Sequence, residues 1–327
     1  MADTSPSMGG ATKLPVGQPD QGAPDPQPDP QRGASTGRVG DKVFYGLAVG
    51  SGILIAVILA LVAAFLIKEA WPAIQQSDEV GDNGFWSLAL NLLGGTLLAA
   101  TMAMAIAVPI AVGIALFITH YANPRLSKAL GFVIDLLAAI PSVIFGLWGF
   151  LTLAPLLKGF YKWLEKNLGF IPLFEDASTT GRVLLTASIV LAIMILPIIT
   201  SVSRDVFAQT PRGNEEASLA LGATKWEMIK QAVLPFGWPG VIGGAMLGLG
   251  RALGETMAVA MILSPSDEFQ WNVIGSGNSP IPAYIALNFP DATGLRVNTL
   301  IALGLVLFVL TLLVNLVARW IVERRNS

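Results

Sequence analysis

One apolar segment of the sequence carries the charges that are most able to do chemistry. Arg251 and Glu255 lie within Phe236–Leu263, which is otherwise apolar and rich in glycine. A helix over this segment would place the two charges one turn apart on the same face, because residues four apart are helical neighbours. A charge in hydrocarbon costs about 2.5–3.5 kcal/mol on insertion scales, so we expect both side chains to face protein or water.

Two interpretations of this pair remain open on physical grounds. In the structural interpretation, Arg251 and Glu255 form a buried ion pair that sets the helix register, although such pairs often add little stability. In the functional interpretation, Arg251 offers its planar, two-pronged guanidinium to an oxyanion in a dehydrated pathway, where Lys is a poorer match. Glu255 then holds the Arg251 side chain and limits the affinity, because a transport site must release its substrate.

The composition excludes most other kinds of functional site. Only 13% of the 327 residues are charged, against about 25% in a soluble domain. The sequence has no Cys and a single His, so we expect no disulfide, no metal site and no catalytic triad. The net charge of −2 gives no general attraction to nucleic acid. Because no Gly-x-x-x-x-Gly-Lys-Ser/Thr loop occurs, we predict a non-enzymatic membrane subunit that binds no cofactor.

Uncharged or nearly uncharged segments predict six transmembrane helices and an all-α membrane fold. Each is long enough to cross a hydrocarbon layer of about 30 Å. Pro109 predicts a kink in the second helix, and Asp135 is the only charge in the third. The predicted spans are Val43–Ile67, Phe85–Ile118, Ala129–Leu157, Val183–Ser203, Phe236–Leu263 and Val297–Ala318. In the fifth, two glycine stripes predict close helix packing, namely Gly240, Gly244 and Gly248, and Gly250 with Gly254.

Segments outside the spans predict the domain organisation and the orientation. Residues 1–41 hold seven of the 21 prolines and are predicted to be a disordered cytoplasmic tail. Residues 42–84 contain the first helix and an outer loop, and residues 85–320 form a core with five helices. Most of the 20 Lys and Arg residues fall on one side of this arrangement. We therefore predict a multi-pass protein of the cell membrane with cytoplasmic N- and C-termini.

The one sizeable cytoplasmic loop, residues 204–235, is predicted to form two short helices. Asn214 is the predicted cap of the first helix, and Gly222 is its expected left-handed end. Thr224 and Glu227 form a capping box that opens the second helix.

The second of these helices has an apolar face. Trp226, Ile229 and Val233 share that face, and Pro235 is predicted to end the helix. Physical reasoning leaves open whether the hairpin lies on the membrane surface or docks on a soluble partner.

The loop resembles the EAA loop of ABC-type importer permeases. Glu216-Ala217-Ser218, Gly222 and Leu234-Pro235 stand at the spacing of that pattern, with Ser218 and Ala232 as departures from it. The resemblance implies a coupling helix that docks on a separate ATPase, which binds the ATP and Mg²⁺. The residues it implies for this coupling are Glu215, Glu216, Ala217, Ser218 and Gly222.

Two further stretches resemble the phosphate-specific (Pst) importer permeases, and more closely their C-type subunit. They are the strings Gly250-Arg-Ala-Leu-Gly-Glu-Thr-Met-Ala-Val259 and Ile140-Pro-Ser-Val-Ile-Phe-Gly-Leu-Trp-Gly149. The resemblance implies a type I importer (MetI-like) permease fold and a phosphate pathway that includes Arg251, Glu255 and Thr256. The implied partners are an A-type permease, two copies of an ABC ATPase and an extracytoplasmic phosphate-binding protein. A sulfate or molybdate importer and a non-transporting assembly protein remain the alternatives.

An outer loop carries a further candidate contact. Pro280–Tyr284 predicts a helix start after a Gly/Ser turn, and Tyr284 there is a candidate contact for the binding protein. Plain anchoring at the membrane interface is the alternative for this segment.

Overall fold

The computed structural model describes residues 37–80, 84–264 and 266–326, and these ranges contain helices without any β-strand. Most of the predicted tail lies outside the described residues, and residues 37–41 belong to the first helix. The helices are α1 (Gly37–Gln75), α2 (Gly84–Leu116), α3 (Pro124–Ala138), α4 (Ser142–Trp148), α5 (Ala154–Leu168), α6 (Leu184–Phe207), α7 (Arg212–Ala220), α8 (Lys225–Met228), α9 (Leu234–Gly254), α10 (Met257–Ile262), α11 (Ile281–Asn288) and α12 (Leu295–Asn326).

Six helical segments in the described ranges are long and apolar enough to cross a membrane, which confirms the predicted all-α membrane fold. They are Gly40–Gln75, Gly84–Tyr121, Ser142–Leu168, Leu184–Phe207, Lys225–Gly254 and Leu295–Trp320. The chain divides after Ala60 into two compact units, and the described part of the first unit is the beginning of α1. The second unit contains the other five segments and all of the candidate site residues.

The predicted third span is wrong in its position. The helix does not run through Ala129–Leu157, because α3 ends at Ala138 and α4 begins only at Ser142. Pro141 separates the two helices with φ −58° and ψ 137°, since its ring prevents a continuous helix. The crossing segment therefore starts at Ser142, and Asp135 lies outside it on the separate helix α3. There its Oδ1 atom is 3.9 Å from Nη2 of Arg204.

At two prolines the helix continues because a wider helical turn precedes the proline. A π-helical turn at Gly149–Leu153 precedes Pro155, and another at Ile229–Val233 precedes Pro235. A proline lacks the N–H for the usual hydrogen bond and crowds the preceding turn, so a locally wider turn accommodates it. Pro235 consequently does not end the second loop helix as predicted, and the helix continues from Lys225 to Gly254.

Small residues allow the central helices to pack closely. α2 packs along α6, and α6 packs along α9. One face of α2 is at most 2% exposed, through Ala99, Ala103, Ala107, Ala111 and Ala115. A Cβ on Gly248 would lie 2.9 Å from Cδ1 of Ile199, so the predicted stripe of Gly240, Gly244 and Gly248 is a packing face. Gly250 and Gly254 have no atom within 4 Å of a Cβ position, so their predicted stripe packs on nothing in the described residues.

Candidate functional site

The helix that carries Arg251 ends before it reaches Glu255. α9 stops at Gly254, and Glu255 is extended with φ −70° and ψ 123°. Thr256 follows with φ −109° and ψ −61°, and the short helix α10 begins at Met257. The two charges are therefore not one turn apart on a continuous helix, and this part of the prediction is wrong. The glycine at the end of α9 favours such a break, because glycine is a poor helix former.

Arg251 is a half-buried cation without a protein partner in the described part of the chain. Its guanidinium makes neither a hydrogen bond nor an ion pair there, and no ion pair joins it to Glu255. A guanidinium has five N–H donors that can bind an oxyanion through two parallel hydrogen bonds. The interpretation of Arg251 and Glu255 as an ion pair that sets the helix register thus loses its geometric basis.

The carboxylate of Glu255 is engaged elsewhere. Its Oε1 atom accepts a hydrogen bond of 3.1 Å from the backbone N–H of Ala258, in the first turn of α10. Thr256 donates its hydroxyl to the carbonyl oxygen of Gly254 at 3.1 Å. A carboxylate at this point satisfies a free backbone donor and complements the positive end of the helix dipole. Glu255 therefore starts α10, and it does not hold the side chain of Arg251.

Helix α10 packs on the third crossing segment through two glycines. A Cβ on Gly146 would lie 2.6 Å from Cα of Ala258, so any larger residue would push the two backbones apart. A Cβ on Gly149 would lie 2.9 Å from Cδ1 of Ile262. The string Ile140–Gly149 had pointed to a family, without a physical role for these glycines. Their role is to seat α10 directly after the break that follows Arg251.

The surface of α9 next to Arg251 is uncovered by the rest of the described chain. Gly243, Leu247, Gly250 and Gly254 follow one another at helical spacing, and all four are exposed. Met257, which begins α10, is exposed as well. The half-buried guanidinium thus borders a face that is open in this chain taken alone.

The loop of residues 204–235 matches several of its predicted details. Gly222 has φ +87°, which confirms the left-handed conformation expected at the end of the first loop helix. Thr224 and Glu227 form the predicted capping box, with Oε2 of Glu227 accepting from the backbone N–H of Thr224 at 2.7 Å. The first loop helix starts at Arg212, with Pro211 at the cap position, so the prediction of Asn214 as the cap is wrong. A proline near a helix start supplies a compatible φ and no unpaired N–H.

The coupling candidates in this loop point in different directions. Glu216 and Ala217 are exposed, and Leu221 beside Gly222 is 91% exposed. Glu215 instead turns towards the protein, with Oε1 3.5 Å from Nε2 of His120 at the end of the second crossing segment. Ser218 donates to Oε1 of Gln231 at 3.4 Å, which links the two loop helices. Glu216, Ala217 and Leu221 are therefore exposed in this chain, while Glu215 and Ser218 make contacts within it.

The predicted apolar face of the second loop helix is correct in part. Ile229 and Val233 are fully buried together with Met228, and they pack against Phe207. Trp226 is 58% exposed and lies in a surface groove with Tyr121. Nζ of Lys225 lies 4.8 Å from the centre of the Tyr121 ring, a distance typical of a cation–π contact. The indole of Trp226 is therefore available at the surface.

Substitution of Gly222 is expected to damage the loop through backbone strain. No atom lies within 4 Å of a Cβ built there, so Gly222→Val meets no steric clash. A φ of +87° nonetheless disfavours any β-branched residue, at a cost of about 1–2 kcal/mol. Thermal unfolding of the detergent-purified protein should show the loss. Gly213→Val serves as the control, because Gly213 is also exposed and open but has no positive φ, and its unfolding should change little.

A cavity of about 460 Å³ lies between α2, α11 and the start of α12, beside the candidate residue Tyr284. Its polar lining includes Asp267, Tyr284, Asn288, Asp291 and Arg296. Burial and the neighbouring Asp267 carboxylate raise the pKa of Tyr284 to about 12, so its hydroxyl stays protonated at neutral pH. Contact of this residue with a binding protein stays a prediction.

Comparison with known proteins decides the family. Residues 107–327 match the model of the "binding-protein-dependent transport system inner membrane component" family. The chain is 43% identical over 296 residues to the "phosphate transport system permease protein PstC 2" of Mycobacterium bovis, covering 86% of this chain and 91% of that protein. The chain belongs to this family of ABC importer permeases, within its phosphate transport (PstC) group.

Further comparisons agree with this assignment. The "phosphate transport system permease protein PstC" of Haemophilus influenzae is 38% identical to the permease, covering 88% of this chain and 94% of that protein. A crystal structure of a bacterial alginate ABC transporter with a periplasmic protein aligns with a TM-score of 0.56 at 17% identity. That alignment covers 88% of this chain and 98% of the other chain, and it shows the shared fold. The permease is therefore a multi-pass membrane subunit of a phosphate ABC importer with the type I fold.

Proposed function

We propose that this permease forms one half of a phosphate pathway in which Arg251 binds the substrate. The observation that carries the proposal is the half-buried guanidinium of Arg251, which has no protein partner in the described residues. A partly desolvated cation that the protein leaves unpaired is costly, so a ligand that supplies the missing charge is favoured. An oxyanion suits the planar guanidinium through two parallel hydrogen bonds.

The remaining pathway residues take supporting roles in this proposal. Glu255 accepts a hydrogen bond from the first turn of α10, and the Thr256 hydroxyl donates to the Gly254 carbonyl at the end of α9. Both contacts maintain the backbone conformation next to Arg251. Gly250, Gly254 and Leu247 form the open face towards an A-type permease, which completes the pathway. Phosphate leaves the site when the A-type permease moves relative to this open face, because a transport site must alternate between binding and release.

The energy for this movement comes from other chains in the proposed mechanism. Two ABC ATPases bind ATP and Mg²⁺ and contact the loop of residues 204–235 through Glu216, Ala217 and the exposed Leu221. The contact between Glu215 and His120 carries their movement to the second crossing segment. An extracytoplasmic phosphate-binding protein delivers the substrate at the outer loops. Both termini of the permease lie in the cytoplasm, as the distribution of Lys and Arg favours.

Uptake in liposomes tests this function directly. The permease is reconstituted with the A-type permease, the ATPase and the phosphate-binding protein, and radiolabelled phosphate and sulfate are compared. We expect phosphate uptake that requires internal ATP and the binding protein, with sulfate at background. Equal uptake of the two anions would favour the rival oxyanion importer. Normal assembly without uptake of phosphate, sulfate or molybdate would favour the non-transporting assembly protein.

A further inference from the structure

Arg182 contacts the end of α10 that lies farthest from Glu255. Its Nε atom donates to the carbonyl oxygen of Ile262 at 3.0 Å, and Nη2 donates to that of Leu263 at 3.5 Å. Ile262 is the last residue of α10, where backbone carbonyls lack partners within the helix. A guanidinium there satisfies these oxygens and complements the negative end of the helix dipole.

The same guanidinium joins α10 to the third crossing segment. Its central carbon lies 5.1 Å from the centre of the Phe150 ring, in the π-helical turn between α4 and α5. The backbone N–H of Arg182 donates to the hydroxyl of Thr180 at 3.2 Å, which orders the loop that carries the side chain. Arg182 is half-buried in this position. The side chain therefore bridges three parts of the chain that are distant in sequence.

Helix α10 is consequently held at both ends by charged side chains. Glu255 accepts from its first turn, and Arg182 donates to its last carbonyls. A helix of six residues is far too short to be stable alone, so these contacts and its packing on Gly146 determine its position. The position of α10 in turn determines the direction in which the chain leaves α9 after Gly254.

We propose that Arg182 is a positioning residue of the transport pathway. By holding the last carbonyls of α10, it keeps the break after Gly254 in the geometry that leaves Arg251 unpaired. In this proposal Arg182 acts on the backbone of α10 and not on phosphate, through the hydrogen bonds that its guanidinium donates to two carbonyl oxygens. This inference rests on the proposed function of Arg251. The proposed role of Arg182 differs from a general attraction of anions by positive charge, because any other exposed cation on the same predicted side would provide that attraction equally well.

A buried cysteine can report on α10 without any transport assay. The chain has no native Cys, and Val259 in α10 is 1% exposed, so Val259→Cys introduces one protected thiol of similar size. In the complete transporter in liposomes, we expect Arg182→Gln to raise the maleimide labelling rate of this thiol by about 10-fold, the size expected for one lost charged hydrogen bond. Lys162→Gln is the matched control, since Lys162 is an exposed cation of α5 on the same predicted side. Its labelling rate should stay unchanged.

Phosphate uptake supplies the second measurement. Arg182→Gln should raise KM by about 10-fold, with a maximal rate changed less than about twofold, because fewer permease molecules then hold Arg251 in the geometry that binds phosphate. Arg182→Lys should fall between Gln and Arg in labelling and in uptake, since one ammonium replaces a planar pair of donors. A labelling rate in Arg182→Gln equal to that of the parent protein, or a lowered maximal rate at an unchanged KM, would overturn the proposal.

If Arg182→Gln does not assemble, the maleimide labelling rate is measured in Arg182→Lys instead. A labelling rate equal to that of the parent protein would then overturn the proposal. The labelling rate does not require phosphate, so the position of α10 can be judged even if the proposed transport function fails. Failure of the two proposals is therefore distinguishable.

Discussion

Replacing Arg251 with Gln is expected to reduce phosphate uptake by about 100-fold, because the proposed site would lose two charged hydrogen bonds to the anion. Arg251→Lys should lose about 10-fold, since Lys keeps the charge but not the planar pair of donors. The chain should still fold, because the guanidinium makes no hydrogen bond or ion pair within the described ranges. Uptake of labelled phosphate in liposomes measures the effect, and co-purification with the partner subunits reports on assembly.

Glu255 provides the internal control for this experiment. Glu255→Gln keeps an oxygen that can accept from the N–H of Ala258, so uptake should fall by only about two- to threefold. Glu255→Leu removes the acceptor and should be clearly worse. In a double-mutant cycle, Arg251→Gln and Glu255→Gln should be nearly additive, because the two groups are not paired. Wild-type uptake in Arg251→Gln would contradict substrate binding by Arg251. Strong coupling between the two substitutions would support the interpretation of Arg251 and Glu255 as an ion pair.

Replacing Leu221 with Asp is expected to weaken docking of the ATPase by about 100-fold or more. Leu221 is 91% exposed beside the turn at Gly222, although leucine is commonly buried. An apolar side chain buried in an interface contributes about 1.5–3 kcal/mol, and a carboxylate in its place adds a desolvation penalty. The measurement is retention of the ATPase on the purified permease complex, together with phosphate-stimulated ATP hydrolysis in liposomes.

A substitution on the other side of the membrane is the matched control. Phe170 is 79% exposed and follows the third crossing segment, so it lies at the opposite ends of the helices from Leu221. Phe170→Asp introduces the same charge in place of an exposed apolar residue, and it should leave ATPase retention unchanged. Full retention and normal hydrolysis in Leu221→Asp would argue that the loop rests on the membrane surface instead.

Local features of the site were predictable where neighbouring residues determine them. The left-handed Gly222 and the capping box of Thr224 and Glu227 depend on a few consecutive residues, and both predictions are confirmed. The apolar segments likewise indicated six membrane-crossing helices, because the bilayer requires a minimum apolar length. Proline was harder to interpret. Pro141 separates two helices, whereas Pro235 is accommodated by a preceding π-helical turn.

The arrangement around Arg251 could not be predicted from spacing. A separation of four residues implies a shared helical face only if the helix continues, and the backbone leaves the helix at Glu255. After the break, α10 is contacted by Gly146 and Arg182, which belong to other parts of the chain. Contacts of this kind depend on helix packing and leave no periodic signal in the sequence.

The amino-acid sequence by itself determined a multi-pass, all-α membrane fold with an arginine in an apolar segment and two short helices in the loop of residues 204–235. It could do so because apolar length, charge distribution and short capping motifs are local properties. Only the tertiary structure decided that Arg251 has no partner among the described residues while Glu255 begins α10. The reason is that hydrogen bonds at a helix break form between segments that only the packed fold brings together.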